Sequence, residues 1–177
     1  GVGKVEVSLD GGPWQLANGA NTWSFSLAGL SGIYGVQARA TDLWGNVGFP
    51  SQSINIWVDT AAPAVTINAP TATLKPTKNA NGQWQVPLSG TATDDHDLQA
   101  GSLLVQLTQA SDVGVAQTQQ VATINGNNWS INYLLDPGLY DPTGAYTVTA
   151  QVDDSVGNRT VAASQVVRLD ASGPVAA

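Results

Sequence analysis

The segment from Gly32 to Pro63 constrains the fold more than any other, because the chain contains it twice. It reads GIYGVQARATDLWGNVGFPSQSINIWVDTAAP: an alternating stretch, a turn at Asp42-Leu43-Trp44-Gly45-Asn46, a second alternating stretch, then Asp59 and a proline-bearing exit. About 112 positions later the pattern returns as GAYTVTAQVDDSVGNRTVAASQVVRLDASGP. Gly32, Tyr34, Val36 and Ala38 match Gly144, Tyr146, Val148 and Ala150, and Asp42, Gly45 and Asn46 match Asp154, Gly157 and Asn158. Asp59 and Pro63 match Asp170 and Pro174 with one residue slipped. Self-similarity at a fixed period marks an array of modules, and period-two alternation around a Gly-bearing turn marks antiparallel strands.

The flanking residues extend both copies. Val5, Val7 and Leu9 alternate with Glu6, Ser8 and Asp10 before a break at Asp10-Gly11-Gly12-Pro13; Trp14 and Leu16, then Trp23, Phe25 and Leu27, continue the first copy. The second opens with Val65 and Ile67, passes Pro70 and Pro76, turns at Asn81-Gly82, and runs through Trp84, Val86 and Leu88. Beyond the acidic loop Asp94-Asp95-His96-Asp97 come Leu103, Val105 and Leu107, a strand near Val121, and Trp129, Ile131 and Tyr133, which match Trp23, Phe25 and Leu27. Short strands at regular spacing with turns between them predict an Ig-like sandwich. Nothing in the first copy corresponds to residues 64–94. The predicted fold is therefore all-β: two tandem Ig-like antiparallel β-sandwich domains, the first lacking its two opening strands. The predicted boundaries are 1–62, 63–170, and 171–177 as a linker or the start of a further module. A sandwich short of two strands exposes an apolar face and open edges, so the first copy is expected to be excised from a longer protein or completed by another molecule.

Composition narrows the function. The formal charge is −7 with a pI near 4.2, and only six Lys and Arg are present. Nucleic acids and anionic membranes select basic faces, so neither is an expected partner. Of thirteen carboxylates only Glu6 is a glutamate; aspartate is poor in helices and good in turns, in keeping with an all-β chain. There is no cysteine, hence neither disulfides nor thiol chemistry. No apolar run approaches the roughly 18 residues of a membrane span, and no signal-peptide pattern opens the chain, so a mature or excised piece is expected. His96 is the only histidine, and a lone histidine in a polar loop supplies neither a zinc set nor a catalytic triad. Asp153 and Asp154 are adjacent, so on a strand they face opposite ways and cannot flank one bond. The chain is not expected to be an enzyme.

The order W-x-(apolar)-x-(apolar), G-x-Y-x-V-x-A, D-x-x-G-N, then V-D-x-x-x-P in the first copy resembles the tandem bacterial Ig-like domains of large surface adhesins and extracellular filament proteins. That resemblance implies an extracellular or cell-surface building block, stacked end to end with copies of itself or neighbouring modules, and a glycan or a host or abiotic surface as target. It also implies junction calcium that stiffens the stalk. The residues offer two readings of the D-x-x-G-N turns. Asp42 and Asp154 can accept N–H groups within the turn while Gly45 and Gly157 take positive φ. Alternatively Asp42, Asn46, Asp59, Asp94 and Asp95, with Asp154, Asn158 and Asp170 repeating the set, supply oxygen ligands for calcium, if hairpin tip and exit lie at the same pole. Trp23 and Trp129 read as matching core residues. Trp57, out of phase with Ile54, Ile56 and Val58, and Trp44 at a turn tip read as outward contact residues for a neighbouring domain or subunit. The alternative class is a carbohydrate-binding or spacer module of a secreted enzyme, with Trp44, Trp57 or Tyr140 lining a groove.

Overall fold

The computed structural model describes residues 1–110, 117–136, 138, 142–162 and 164–173; Tyr140 and Pro174, named above, lie outside the described residues. The chain separates into two units, Gly1–Thr60 and Ala61–Ala177. All regular elements among the described residues are strands. Among the described residues no helix is long and apolar enough to cross a membrane, which says nothing about a β-barrel.

The first unit holds β1 (Val2–Leu9), β2 (Gln15–Leu16), β3 (Asn18–Gly19), β4 (Trp23–Ser24), β5 (Gly32–Asp42) and β6 (Ile54–Val58). They form a four-stranded antiparallel sheet in the order β2-β1-β5-β6, plus the small hairpin β3-β4. Alternation assigns the faces of the sheet. On the outer face Glu6 accepts from Lys4 and Arg39, each at 3.0 Å, and the Arg39 guanidinium lies 4.4 Å from the centre of the Trp14 ring. On the inner face Val5 and Val7 are buried with Ala17, against Leu9, Phe25, Val36, Ala38 and Ala40.

The second unit holds β7 (Ala64–Ile67), β8 (Thr77–Lys78), β9 (Trp84–Thr93), β10 (Leu104–Gln109), β11 (Gln120–Val121), β12 (Thr123–Asn125), β13 (Asn128–Leu134), β14 (Gly144–Asp153), β15 (Arg159–Val161) and β16 (Gln165–Leu169). One sheet runs β11-β10-β14-β15 with β16 also on β14; the other runs β12-β13-β9-β7 with β8 also on β9. Their inner faces close on one core that includes Trp129, Tyr133, Tyr146, Leu107 and Val86. Two antiparallel sheets sharing a core in this order make an Ig-like sandwich.

The units share one plan in one register. Leu9 opposite Val36 and Val7 opposite Ala38 correspond to Leu107 opposite Val148 and Val105 opposite Ala150. Tyr34 opposite Ile56 corresponds to Tyr146 opposite Val167, and Gly19 opposite Trp23 to Ile124 opposite Trp129. Even the Ala17 amide bond to the Val5 carbonyl, 2.9 Å, has its twin from Ala122 to Leu103, 2.9 Å. Thus β1 to β6 repeat β10 to β14 and β16, and the first unit has no counterpart of β7, β8 or β9.

That shortfall overturns the expected burial of Trp23. Trp23 is 43% exposed, whereas Trp129 at the same register position is 1% exposed. Tyr34, Val36, Ala38 and Ala40 are only half-buried, while their counterparts Tyr146, Val148, Ala150 and Val152 are fully buried. Strand phase aims these side chains inward, but in the first unit little lies opposite them.

Candidate functional site

Both D-x-x-G-N turns are self-contained. The Asp154 Oδ1 accepts the backbone N–H groups of Val156, Gly157 and Asn158 at 2.9, 2.6 and 2.8 Å, and its Oδ2 accepts the Asn158 side-chain amide at 2.6 Å. Asp42 repeats this with Trp44 and Asn46 at 2.9 and 2.8 Å and the Asn46 amide at 2.9 Å. Gly45 and Gly157 sit at φ of 88° and 99°, the left-handed region that an aspartate-anchored turn of this length needs and that glycine adopts without strain. Burial pushes the Asp154 carboxyl up, but hydrogen bonds from the Asn158 side chain and from the backbone of Asn158, Val156 and Gly157 outweigh it and hold it below the usual range. Asp42 is held low in the same way, first by the Asn46 side chain.

Within each hairpin the carboxylate of the turn and that of the exit stand at opposite ends. Val58 pairs with Gly32 at the start of β5, and Asp42 ends that eleven-residue strand. At ~3.3 Å per residue, Asp59 and Asp42 lie about 30 Å apart along the hairpin. The second hairpin behaves likewise, since Leu169 pairs with Gly144 and Asp154 follows the far end of β14. The expectation that Asp42 or Asn46 meets Asp59 at one pole, and Asp154 or Asn158 meets Asp170, is corrected by this geometry: a hairpin puts its tip and its exit at opposite ends. What does gather at the Asp154 end is the acidic loop, where the Ser155 amide donates to the Asp97 carbonyl at 2.8 Å. In that loop Asp94 is half-buried, with Oδ2 accepting the His96 amide at 3.1 Å and Oδ1 shielded from solvent without a hydrogen-bond partner; Asp95, His96 and Asp97 are exposed. Asp170 is occupied by the Ser172 hydroxyl and amide, which together hold its carboxyl low. Asp153 turns away from Asp154 and binds Arg159 in bidentate fashion, as adjacency on a strand dictates.

The aromatic residues divide in two. Trp44, at its turn tip, is 90% exposed and Trp57, out of phase with the inward residues of β6, 50%, and Phe49 beyond the same turn is fully exposed. Trp84 is half-buried, its ring covered by Lys78 at 4.7 Å. Trp129 shows what a tryptophan at this point of the plan does when its module is complete. It lies opposite Gly90 of β9, and its indole Nε1 donates 2.9 Å to the Thr66 carbonyl of β7. A Cβ built on Gly90 would come within 2.6 Å of the indole and 2.0 Å of the Thr66 oxygen, so only glycine fits there. The ring therefore reaches across one strand to bond the next. Sequence reasoning passed over Gly90, because its role depends on a side chain 39 positions away.

The same point in the first unit is open. There β4 is two residues long and pairs only with β3, whereas β13 is seven residues long and pairs with both β12 and β9. Trp23, Phe25, Val36, Ala38 and Ala40 line that open side.

No protein-family model matches the chain, and no curated protein matches it. Among solved structures, that of Clostridium thermocellum CbhA fibronectin(III)-like modules is similar over 96% of this chain and 78% of its own length, at 14% identity and a TM-score of 0.42. At that level the likeness carries no argument about function; the fold stands on the strand pairings described above.

Proposed function

We propose that this chain is a structural or adhesive building block of an extracellular filament or long surface adhesin of bacteria, in which Ig-like modules follow one another, and that it works by spacing and presentation rather than by catalysis. The repetition of one sheet plan, register for register, in two tandem units carries the reading. A repeated module whose turns engage their own carboxylates suits extension better than bringing reacting groups together. Within this reading the first unit is completed by strands it does not itself hold, through strand addition. Antibody labelling of intact producing cells, with negative-stain imaging of the shed material, tests it. Surface label on thin beaded fibres is the expected result; label confined to the cell interior would overturn the reading.

Calcium is part of the same proposal. Asp42, Asn46, Asp154 and Asn158 are engaged in their turns, and the best-fitting donors are Asp94, with its shielded and unpartnered Oδ1, and the exposed Asp95. Carboxylate oxygens are the ligands a hard cation selects. A ligand bound only by the native state raises the melting midpoint, so melting curves with calcium and with a chelator decide the matter, and coincident midpoints would remove the ion from the reading.

The exposure of Trp44 and Trp57 favours a second reading, a carbohydrate-binding or spacer module of a secreted enzyme, since flat aromatic faces suit sugar rings. A glycan screen read by tryptophan fluorescence tests it. A flat response would leave both residues as contacts for a neighbouring module or subunit.

A further inference from the structure

The outward face of the β2-β1-β5-β6 sheet differs from its twin in the second unit along one row. This face points away from the core in both units, so its exposure does not depend on how many strands lie on the other side. Just past β1, Asp10 stands opposite Gly35: the Asp10 N–H donates to the Gly35 carbonyl at 2.8 Å, and Asp10 Oδ1 accepts the Gly35 N–H at 2.7 Å. Gly35 in turn faces Asn55 of β6, and the neighbouring outward pair on the same two strands is Ile33 and Trp57. At ~3.3 Å per residue the two pairs lie about 7 Å apart. In the second unit the row Asp10–Gly35–Asn55 is Thr108–Thr147–Val166, and the pair Ile33–Trp57 is Ala145–Arg168. Threonine and valine suit a strand, whereas aspartate, glycine and asparagine are depleted there. The turn at Asp10 and Gly11, with φ of 49° and 70°, accounts for the aspartate. Nothing in the shared plan calls for a glycine in the middle of the sheet or for an asparagine beside it.

The glycine opens a hollow. A Cβ built on Gly35 would lie 3.0 Å from Ser53 Oγ, 3.4 Å from Asp10 Oδ1 and 3.7 Å from Asn55 Oδ1, so three side-chain oxygens surround the space it leaves. Among the described residues none bonds to Asp10 Oδ2, the Ser53 hydroxyl or the Asn55 side-chain amide. Asp10, Ser53, Asn55, Ile33 and Trp57 are all exposed. A glycine inside a strand marks close approach of the backbone by something else, and strand propensity is given up most often where function requires it.

We infer that the hollow over Gly35 and the Trp57 ring form one binding site on the outward face of β5 and β6, for an uncharged glycan. The inference rests on the second reading above, in which exposed tryptophans meet sugar, and it places that contact at Trp57. A pyranose has an apolar C–H face that packs on an aromatic ring, and hydroxyls that both donate and accept. A saccharide lying along β5 and β6 meets Trp57 and Ile33 with one end and, about 7 Å on, the hollow with its hydroxyls. There Asp10 accepts, while Ser53 and Asn55 each donate and accept. The Asp10 carboxylate and the formal charge of −7 disfavour an acidic saccharide, which is why the ligand is uncharged. A protein strand fits less well, because the row presents side chains from the face of the sheet and not the free backbone groups that strand addition uses.

The full chain, labelled with nitrogen-15, is titrated with neutral hexasaccharides of glucose, xylose, mannose and galactose, and with the hexamer of galacturonic acid as an acidic comparison. The expected result is that at least one neutral saccharide moves the Trp57 indole signal together with the Gly35 and Asn55 amides, and binds tighter than the acidic one. Gly35→Thr installs the residue of the second unit, and the added Cβ meets only the ends of side chains. It should keep the melting midpoint at or above that of the native chain and weaken binding about tenfold or more, since it fills the hollow and leaves ligand hydroxyls unpaired. Asn55→Val, at an exposed position, should weaken binding in the same direction, and it decides the matter if the threonine variant melts lower. Native affinity in Asn55→Val, signal changes gathered at Trp44 with Trp57 silent, or tighter binding of the acidic hexamer would overturn the site and leave the second reading standing. No signal movement with any of these saccharides at millimolar concentration would remove the site and that reading together.

Discussion

Trp23 and Trp129 occupy one position of one plan and have opposite surroundings. Trp129 is 1% exposed and hydrogen-bonded across β9, while Trp23 is 43% exposed beside a two-residue strand. The two units agree in strand register and in turn chemistry, so neither produces the difference. What differs is the presence of β7 and β9. A sheet face becomes a core only when a second layer excludes water from it, and the hydrophobic contribution follows the area removed from water.

The comparison is most exposed to failure at the two tryptophans themselves. Trp129→Ala is expected to destabilise the second unit by about 3–5 kcal/mol, the range for truncating a buried large aromatic, whereas Trp23→Ala should cost less than about 1 kcal/mol. Urea unfolding followed by circular dichroism measures both, and equal costs would break the contrast. A smaller effect sharpens it: amides of β5 should exchange with solvent faster than the matching amides of β14, because local opening is easiest where few apolar contacts are buried. Residue-resolved hydrogen exchange reads this directly, and equal protection of Tyr34 and Tyr146 would show that the first unit is closed by other means.

Acid separates the two turns. Asp42 and Asp154 are both held below the ordinary value of 3.8. A depressed folded-state value means that the stabilisation is fully present above the unfolded value and is lost as pH falls through the folded one. Unfolding midpoints should therefore stay level above about pH 5 and decline below about pH 4. Asp154→Ala should flatten that decline for the second unit more than Asp42→Ala does for the first, since Asp154 is wholly buried and Asp42 is not. The smallest effect belongs to the outward rings: Trp44→Ala and Trp57→Ala should each leave stability within about 0.5 kcal/mol, as surface substitutions do. A larger loss, measured in the same urea series, would show that these residues are covered in solution.

Much of this was legible in the residues. The repeat of Gly32–Asn46 at Gly144–Asn158 reads out as the shared β5–β6 plan, and the missing counterpart of residues 64–94 reads out as the incomplete second layer. The outward phase of Trp57 and the turn role of Asp42 and Asp154 were also visible, because each depends on neighbours within a few positions. Other features were not legible. Gly90 looks like an ordinary break in a strand until Trp129 is seen lying over it. Asp42 and Asp59 look like partners in one acidic motif until β5 separates them by its full length. Trp23 looks like core because its alternation is that of core.

Period, turn residues and the face toward which each side chain points are local properties, and the order of residues alone determined them here, twice over. Whether an inward face is dry, whether a glycine is obligatory, and which carboxylates share an end of the sandwich were decided only by the tertiary structure. Those properties belong to what lies opposite a residue, and in this chain the opposite strand comes from dozens of positions away or, in the first unit, is not among its own strands.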